Sequence, residues 1–270
     1  KKLIKLIQKY KTLENIYKLS KDKLMETSGI SEKIANNMID KKVRNNVDNA
    51  LKYMKQNNIN VISVFDDDYP QMLKEIYAPP ICLYIKGNLQ LLKMQNISLI
   101  GCRKCSQYGK KTAYYFSYNL SKAGFNIVSG LARGIDSYSH IGCLAAKGKT
   151  IAVMGSGLDN IYPKENEQLV NEIIKQNGAI ITQYPLGTKP EKNNFPARNR
   201  IISGLSKAVL VIEARAKSGT LITVDFALEQ GKDVFAVPGN INSANSVGTN
   251  ELIKQGAIPV CNYKDILDNI

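Results

Sequence analysis

The sequence predicts an α/β protein with a doubly wound, mainly parallel sheet, preceded by a small helical domain. Short apolar, β-branched runs recur along the chain, and each is typical of a strand buried on both faces. A helical segment follows most of these runs, as expected for crossovers between parallel strands. With 270 residues, the chain is long enough for one large α/β domain and a small additional one.

Residues 1–55 predict a basic, helical domain, and we place the α/β domain at 56–270. The first segment holds fourteen Lys and Arg against six Asp and Glu, more than half of the chain's formal charge of +14. Within it, residues 24–35 resemble a helix-hairpin-helix or SAM-like element, because Gly29 permits a tight turn and Ser31 can cap the next helix. Such elements contact DNA or pack against protein, and both roles stay open.

Two short strands at 61–65 and 81–86 lead into the main sheet. The first buried strand covers 97–100, and Gly101-Cys102-Arg103-Lys104-Cys105 follows it at once, ahead of a helix that begins near Tyr108. A glycine directly after a buried strand, with cations before a helix N-terminus, is typical of an anion site.

The same arrangement recurs at the next strand ends. Strand 126–128 leads to Gly130 and Arg133, strand 150–154 leads through two glycines to Lys164, and strand 179–182 leads to a long loop. We place Arg198 and Arg200 in that loop, ahead of a helix. Because ligands bind beyond the carboxyl ends of parallel strands, these residues are expected to meet at one sheet edge.

Residues 195–239 predict two further βα turns. A buried strand at 208–212 ends at Glu213, and Ser218-Gly219-Thr220 then opens a helix that Gly231 closes before the strand at 234–237. A Ser-Gly-Thr sequence at a strand-to-helix junction offers backbone N–H groups and two hydroxyls to one ligand. This junction therefore predicts a phosphate site.

The overall charge has two explanations that composition does not separate. A polyanionic partner is one, and a coding bias toward Lys, Asn and Ile is the other. No apolar run approaches the roughly 20 residues of a membrane span, and no signal peptide opens the chain. Five cysteines, an odd number, do not suggest a disulfide framework. We expect a cytoplasmic protein without a membrane partner.

Other chemistries lack their motifs. No turn spells Gly-x-Gly-x-x-Gly, no Gly-Lys-Ser/Thr phosphate loop is present, and the Cys102–Cys105 pair has no second pair to complete a metal site. His140 is the chain's single histidine and is expected to be structural. Asp136 and Glu213 form an acid–base pair or act as helix caps, and nothing supplies a nucleophile with its base. We therefore expect no cofactor, no metal and no catalytic residue.

Six motifs, in order and spacing, resemble the DNA-processing protein A (DprA, Smf) family. The resemblance covers about residues 58–267 and rests on GCRKCSQYG, VSGLARGIDSYSH, KTIAVMGSGLDNIYPKEN, FPARNRIISGLSKAVLVIEA, SGTLITVDFALEQGKDVFAVPG and GTNELIKQGA. It implies an extended Rossmann-like core that binds single-stranded DNA without sequence preference. It also implies a SAM-like N-terminal domain, a homodimer formed through the C-terminal part of the core, and loading of the RecA recombinase in natural transformation.

The resemblance also implies which residues bind DNA. By motif position, Arg103 and Lys164 are the main phosphate-binding cations, and Arg133, Arg198 and Arg200 either support them or brace the interior. The backbone amides are expected from Gly101, Gly130, Ser218 and Gly219. The same motifs add Cys102, Asn166 and Thr220 to the candidate set.

The chain departs from the family pattern at several places. Cys102 stands where the family usually has Ser, and Gln183 where it usually has Glu. Because the Cys102 thiol would lie near a helix N-terminus beside Arg103, we predict a lowered pKa and DNA binding that is sensitive to oxidation. Asn250 and Pro259 alter the expected dimer segment. Many members carry a C-terminal winged helix, which we expect to be absent here.

Two other functional classes stay open. The same fold supports nucleotide-binding enzymes, such as phosphoribohydrolases, and nucleotide sensors, while a purely structural scaffold is the third class. If DNA is the ligand, affinity is expected to fall steeply with salt and to favour single strands. Tyr162 and Phe195 are candidates to stack a base, or equally to pack in the core.

Overall fold

The computed structural model describes residues 2–270, and their side chains apart from those of 2–4, 13–14 and 43–45. The chain divides into two compact units that meet in sequence between Asn57 and Asn58. The first unit is helical, with helices α1 (Lys2–Tyr10), α2 (Leu13–Tyr17), α3 (Lys21–Met25), α4 (Glu32–Ile39) and α5 (Lys41–Gln56).

A small apolar core holds the helices of the first unit together. Its buried side chains include Leu6, Leu24 and Ala35. Gly29 adopts a φ of +90° in the turn between α3 and α4, a conformation that glycine accepts without strain. Ser31 occupies the N-cap position of α4, but its side chain makes no capping hydrogen bond. The helix-hairpin-helix or SAM-like character of this unit stays a prediction.

The second unit is built on one nine-stranded sheet. Its strands are β1 (Ile59–Ser63), β2 (Cys82–Gly87), β3 (Asn96–Ile100), β4 (Asn126–Ser129), β5 (Thr150–Val153), β6 (Ala179–Thr182), β7 (Ala208–Val211), β8 (Asp233–Ala236) and β9 (Ile258–Pro259). The spatial order is β1-β2-β6-β5-β4-β3-β7-β8-β9. The β1–β2 and β2–β6 pairs are antiparallel, and the remaining pairs are parallel.

Helices connect the strands. They are α6 (Gln71–Lys74), α7 (Gln107–Lys122), α8 (Ile135–Ala145), α9 (Glu167–Lys175), α10 (Asn194–Gly204), α11 (Gly219–Glu229), α12 (Val247–Lys254) and α13 (Lys264–Leu267), with 3₁₀ helices at Leu89–Lys93 and Lys164–Asn166. Among the helices that the structure describes, none combines the length and apolar character needed to span a bilayer.

The strand order confirms the predicted doubly wound α/β fold. From β3 the chain adds β4, β5 and β6 on one side, then returns to place β7, β8 and β9 on the other. The carboxyl ends of β3 and β7 therefore lie side by side where the order reverses, which is where ligands bind in open α/β sheets. The lead-in strand β1 begins and ends two residues earlier than the sequence pattern suggested.

Both faces of the sheet are covered, which explains the continuous apolar runs. Successive residues of a strand point to opposite faces. In β7, Val209 and Val211 pack into one hydrophobic cluster, and Ala208 and Leu210 pack into another. Every residue is buried in five adjacent strands, which in sheet order are β6, β5, β4, β3 and β7. The rigid sheet fixes the position of the loops at its carboxyl edge.

Candidate nucleic-acid interface

A crevice of about 680 Å³ opens at the carboxyl ends of β3 and β7. The loops after these two strands, the N-terminus of α11, part of α10 and the segment around Lys192 form its walls. Five of its lining residues are exposed cations, which we call the rim cations: Arg103, Lys104, Lys192, Arg215 and Lys217. Its buried charged residues, which we call the floor pair, are Asp136 and Arg198.

The rim cations carry uncompensated charge. Within the part of the chain that the structure describes, none of the five forms an ion pair with a carboxylate. Arg215 donates through Nε to the neutral amide oxygen of Asn245 at 2.9 Å. Among the residues lining the crevice, Asp136 is the single carboxylate, and it is buried. The open face of the crevice is therefore positive.

An aromatic pair stands beside Arg103. The guanidinium carbon lies 5.3 Å from the ring centre of Phe195, which lies 5.6 Å from the ring centre of Tyr162. Phe195 packs over Gly155, whose position would hold a Cβ only 2.9 Å from the ring. Tyr162 is 40% exposed. The sequence left open whether Tyr162 and Phe195 stack a base or pack in the core. In the structure, Phe195 is partly packed and Tyr162 faces solvent.

The Ser-Gly-Thr junction begins α11, as predicted. The Ser218 hydroxyl accepts from the Thr220 amide at 3.2 Å and donates to the Thr220 hydroxyl at 2.9 Å, so the two hydroxyls engage each other. Gly219 is exposed, and a Cβ built on it would meet nothing within 4 Å. What this junction presents to a ligand is therefore the N-terminal amides of an 11-residue helix beside an open space.

The other glycines of the candidate set are required by packing. A Cβ on Gly101 would stand 2.6 Å from Ile135, and one on Gly130 would stand 2.6 Å from the Asp136 carboxylate. The Gly130 amide also donates to that carboxylate at 3.1 Å. Gly130 thus has its N–H engaged inside the protein, which corrects the expectation of a phosphate contact there.

Arg198 lies within α10 and not in a loop ahead of it, which corrects the sequence prediction. Its side chain is buried and donates to the carbonyl oxygens of Gly130, at 2.8 Å, and Val153. Burial lowers the pKa of Arg198 to about 10 and raises that of Asp136, while each charge opposes the shift of the other. Arg198 therefore braces the ends of β4 and β5 from beneath the crevice.

Three more candidates are engaged with the protein. Arg200, also inside α10, donates to the carbonyl of Ala78 at 2.7 Å and to the Gln183 side chain at 2.6 Å. Arg133 is exposed but paired with Glu165 at 2.5 Å. Asn166 donates to the Leu131 carbonyl at 2.7 Å and the Ser137 hydroxyl at 2.9 Å, which fastens the segment before α9 to the turn after β4.

Lys164 begins that fastened segment, two residues after Tyr162. It does not line the crevice, but two residues of chain span at most about 7 Å, so it lies just outside the Tyr162 side of the crevice. Lys164 is exposed, and within the described residues its ammonium group forms no ion pair. Of the two cations that the motifs ranked first, Arg103 is on the rim and Lys164 adjoins it.

The predicted lowering of the Cys102 pKa is wrong, and the predicted sensitivity of DNA binding to oxidation stays a prediction. Its side chain is buried beneath the crevice, and its amide donates to the Glu213 carbonyl at 2.9 Å. Burial raises the pKa of the Cys102 thiol, and this exceeds the opposing influence of Arg215. The sequence shows that Cys102 is close to a helix and an arginine, but not that its thiol is buried away from solvent.

Within the described residues, no group of three or more His, Cys, Asp or Glu is placed to hold a metal.

The two carboxylates considered as an acid–base pair serve as braces. Glu213 accepts from the amide and hydroxyl of Ser106, at 2.9 and 2.5 Å, at the start of α7. Asp136 accepts from the amides of Gly130 and Ala132 at 3.1 and 3.3 Å. Glu213 therefore stabilises the loop that carries the rim cations Arg103 and Lys104, and Asp136 stabilises the turn after β4.

His140 is structural, as expected. It is buried with its Nδ1 2.7 Å from the Thr150 hydroxyl, and burial lowers its pKa to about 3. It therefore stays neutral at ordinary pH and adds no charge to the crevice.

Four of the five rim cations are outside the candidate set drawn from the sequence, although Lys104 was noted beside Arg103 as part of an anion site. Lys104, Lys192, Arg215 and Lys217 all lie in loops that follow strand ends, close to motifs that were selected. Their position after β3, β6 and β7 was the available signal. The pairing of β3 with β7 brings Arg215 and Lys217 beside Arg103 and Lys104. Lys192 reaches them through the long loop before α10, because three strands separate β6 from β7.

Comparison with known proteins decides the family. The family model described as DNA recombination-mediator protein A matches residues 60–270. The chain belongs to the DprA family. Its sequence is 46% identical to DNA processing protein DprA of Streptococcus pneumoniae over 205 residues, which cover 76% of this chain and 72% of that protein.

Two solved DprA structures are similar to this one. The X-ray structure of DprA from Streptococcus pneumoniae aligns over all of this chain and 92% of that chain, with a TM-score of 0.86 and 37% identity. DprA from Helicobacter pylori, whose structure was described for its single-stranded DNA binding mode, aligns over 78% of this chain and 94% of that chain, with a TM-score of 0.70 and 31% identity. The family assignment thus agrees with the resemblance seen in the sequence motifs.

Proposed function

We propose that this DprA-family protein binds single-stranded DNA across the crevice, without sequence preference, and hands the strand to a RecA-type recombinase. The observation that carries the DNA-binding step is the set of five rim cations around one crevice whose lining holds no exposed carboxylate. A polyanion is the ligand that such a surface attracts.

A strand crossing the crevice would meet three kinds of group. Arg103 and the neighbouring Lys164 would contact phosphates, and the α11 amides at Gly219 would bind another phosphate at the helix N-terminus. Tyr162, exposed beside Arg103, would stack a base. Base stacking requires bases that are not already paired, so the arrangement favours single strands over duplex. None of these contacts reads a base edge, which supports binding without sequence preference.

The remaining parts of the proposal rest on the family. The chain matches a family of recombination mediators, and its Helicobacter pylori relative is described as binding single-stranded DNA. We propose transfer to RecA in natural transformation and a homodimer formed through 248–260. We also propose that the protein is not an enzyme, because its two candidate carboxylates are committed to backbone and hydroxyl groups.

The test is a titration of a fluorescent oligothymidylate at several salt concentrations. For single strands the slope of log K against log salt is about −0.7 per phosphate contact, so Arg103→Ala with Lys164→Ala is expected to flatten the slope by about 1.4. Affinity should fall together with the slope. Arg133→Ala is the matched control, because that arginine is exposed on the same edge but already paired with Glu165.

The result also separates the competing functional class. A wild-type protein that binds duplex as tightly as single strands, or binding that ignores Arg103 and Lys164, would contradict the proposal. In that case turnover or binding of nucleoside monophosphates would be measured next, since a phosphoribohydrolase-type enzyme would use the same crevice for one phosphate.

A further inference from the structure

A second cavity, of about 340 Å³, lies against the outer side of α7. The helix contributes the side chains at one wall, and the residues that follow β8 and β9 contribute the other. Its lining residues are Tyr108, Lys111, Thr112, Tyr115, Phe116, Val237, Pro238, Val260 and Cys261.

The helix wall is a face of alternating aromatic and cationic character. Tyr108, Lys111, Thr112 and Tyr115 follow one another at spacings of three, one and three, which places them on one side of α7. Tyr108 is 54% exposed. Tyr115 is 41% exposed, although its ring also packs edge-on against the rings of Phe116 and Tyr263, with ring centres 5.4 and 6.4 Å apart. Exposed tyrosines beside a lysine are the groups that stack bases and contact phosphates in single-strand-binding proteins.

The side chains that line the cavity suit an anionic ligand that also has flat, apolar groups. The lining includes no carboxylate, and Lys111 is exposed and forms no ion pair within the described part of the chain. An acidic peptide would satisfy the lysine but would leave the Tyr108 ring and the exposed part of the Tyr115 ring without a flat partner. A nucleotide satisfies both.

The cavity continues the sheet edge that holds the crevice. Pro238 follows β8 and Cys261 follows β9, so both lie at the carboxyl ends of parallel strands. Lys104 on the rim and Tyr108 in the cavity are four residues apart, a span of at most about 14 Å. Asn245 fastens this connection by donating to the Lys104 carbonyl at 3.1 Å. A strand leaving the crevice past Lys104 therefore reaches the cavity directly.

We propose that this cavity is a second nucleotide-binding subsite for the same DNA strand, with bases stacked on Tyr108 and Tyr115 and a phosphate at Lys111. The inference rests on the proposed function of the crevice and extends it. It means that the bound strand runs along the carboxyl edge from β3 toward β9, and that longer strands engage both sites.

Cys261 provides a direct probe, because it lines the cavity and is exposed, whereas the other four cysteines are buried or half-buried. Its alkylation by a maleimide, followed by mass spectrometry, is measured with oligothymidylates of about 6 and about 30 nucleotides. The longer strand is expected to protect Cys261 and the shorter one, filling the crevice alone, to leave it reactive.

Substitution supplies the second measurement. Tyr108→Ala with Lys111→Ala is expected to weaken binding of the longer oligonucleotide about tenfold and to leave the shorter one unchanged. Tyr114→Ala is the matched control, since Tyr114 is 39% exposed on the same helix and does not line the cavity. It should change neither affinity.

The outcomes separate the two proposals. If neither oligonucleotide binds the wild-type protein, the function proposed for the crevice fails. If both bind but Cys261 stays reactive and the Tyr108/Lys111 variant matches wild type, the second subsite is overturned while the crevice stands. Val260 belongs both to the cavity and to the segment 248–260 proposed for the homodimer. Protection of Cys261 that grows with protein concentration in the absence of DNA would therefore also overturn the subsite, because it would show that the dimer covers the cavity.

Discussion

Arg103 on the rim and Arg198 on the floor belong to the same crevice, yet their surroundings differ in every respect. Arg103 is exposed, contacts a ring and has no carboxylate partner within the described residues. Arg198 is buried near Asp136, with which it forms no ion pair within the described residues, and it donates to two backbone carbonyls at the ends of β4 and β5. One side chain is available to a ligand, and the other holds in place the turns that present the ligand site.

A motif rich in glycine and arginine therefore combines residues that stabilise the fold with residues that bind a ligand. An arginine in contact with the ends of several strands stabilises the fold whether or not DNA is present. An arginine without a protein partner adds little to stability and keeps its charge for a ligand. Because the two kinds alternate along the chain, their effects on folding and on binding should separate cleanly in variants.

The largest expected effect is on folding, from Arg198→Ala. The change leaves two buried carbonyls without their donor and removes a positive charge near the buried Asp136 carboxylate. Each buried polar group left without its partner costs about 1–3 kcal/mol, so the two carbonyls together are expected to cost about 2–6 kcal/mol. Urea unfolding, followed by a probe in the α/β unit, measures the loss in the free energy of unfolding.

Arg103→Ala is the matched control for that measurement, because it removes an arginine from the same crevice without a buried partner. Its free energy of unfolding should stay within about 0.5 kcal/mol of wild type. If Arg198→Ala were as stable as wild type and had lost DNA affinity, Arg198 would be a ligand and the division between rim and floor would fail.

A smaller effect is expected in the pH dependence of stability, from Asp136. Burial raises the pKa of Asp136 to about 6, and Arg198 and Arg103 oppose the shift. Between the unfolded value near 4 and that folded value, the native protein holds a proton that the unfolded chain has released. The contribution of Asp136 is therefore favourable at low pH and is lost as pH rises through the folded pKa, by about 1–3 kcal/mol.

Asp136→Asn isolates this contribution, since an amide oxygen can still accept from the Gly130 and Ala132 amides. As pH rises from about 4 to about 7, wild type should lose stability relative to the variant, measured as the free energy of unfolding. A difference that stays constant over that range would show that Asp136 keeps its ordinary pKa and that Arg198 fully compensates for burial.

The fold was predictable because it depends on local patterns. The buried runs of β3 to β8 are apolar on both faces, and glycine or capping residues mark most helix ends, so element order followed from the chain. The adjacency of β3 and β7 was not predicted, because strand order depends on pairing between segments far apart in the chain. The lead-in strands were placed less well, because their half-exposed patterns are weaker.

The site was predictable only in part, because burial and partners are long-range properties. The sequence shows that Cys102 is close to Arg103, but not that the ends of β3 and β7 enclose its thiol. It shows Arg198 and Arg200 two residues apart, but not that α10 begins before them and turns both toward the protein. Arg215 joins Arg103 because β3 and β7 are neighbours, and Lys192 joins them through the long loop between β6 and α10.

The smallest expected effect comes from Gly219→Ala. This change separates ligand binding from folding most clearly, because it should weaken DNA binding without destabilising the fold. A Cβ at Gly219 meets nothing within 4 Å, and the residue begins a helix with no need of a positive φ. Alanine should therefore fold as well as glycine or better, by up to about 1 kcal/mol. Its methyl group would stand where a phosphate approaches the α11 amides, so single-strand affinity should fall about fivefold, or about 1 kcal/mol.

Gly130→Ala is the counterpart on the floor, where a Cβ would stand 2.6 Å from the Asp136 carboxylate and 2.7 Å from the Arg198 guanidinium. It should destabilise the protein by about 1–3 kcal/mol through overpacking. The two glycine variants, compared by urea unfolding and by oligothymidylate titration, should thus show opposite patterns. Equal losses of stability in both variants would mean that α11 needs glycine for its own structure. Gly219 would then be a structural residue, like Gly130, and not evidence for a ligand site.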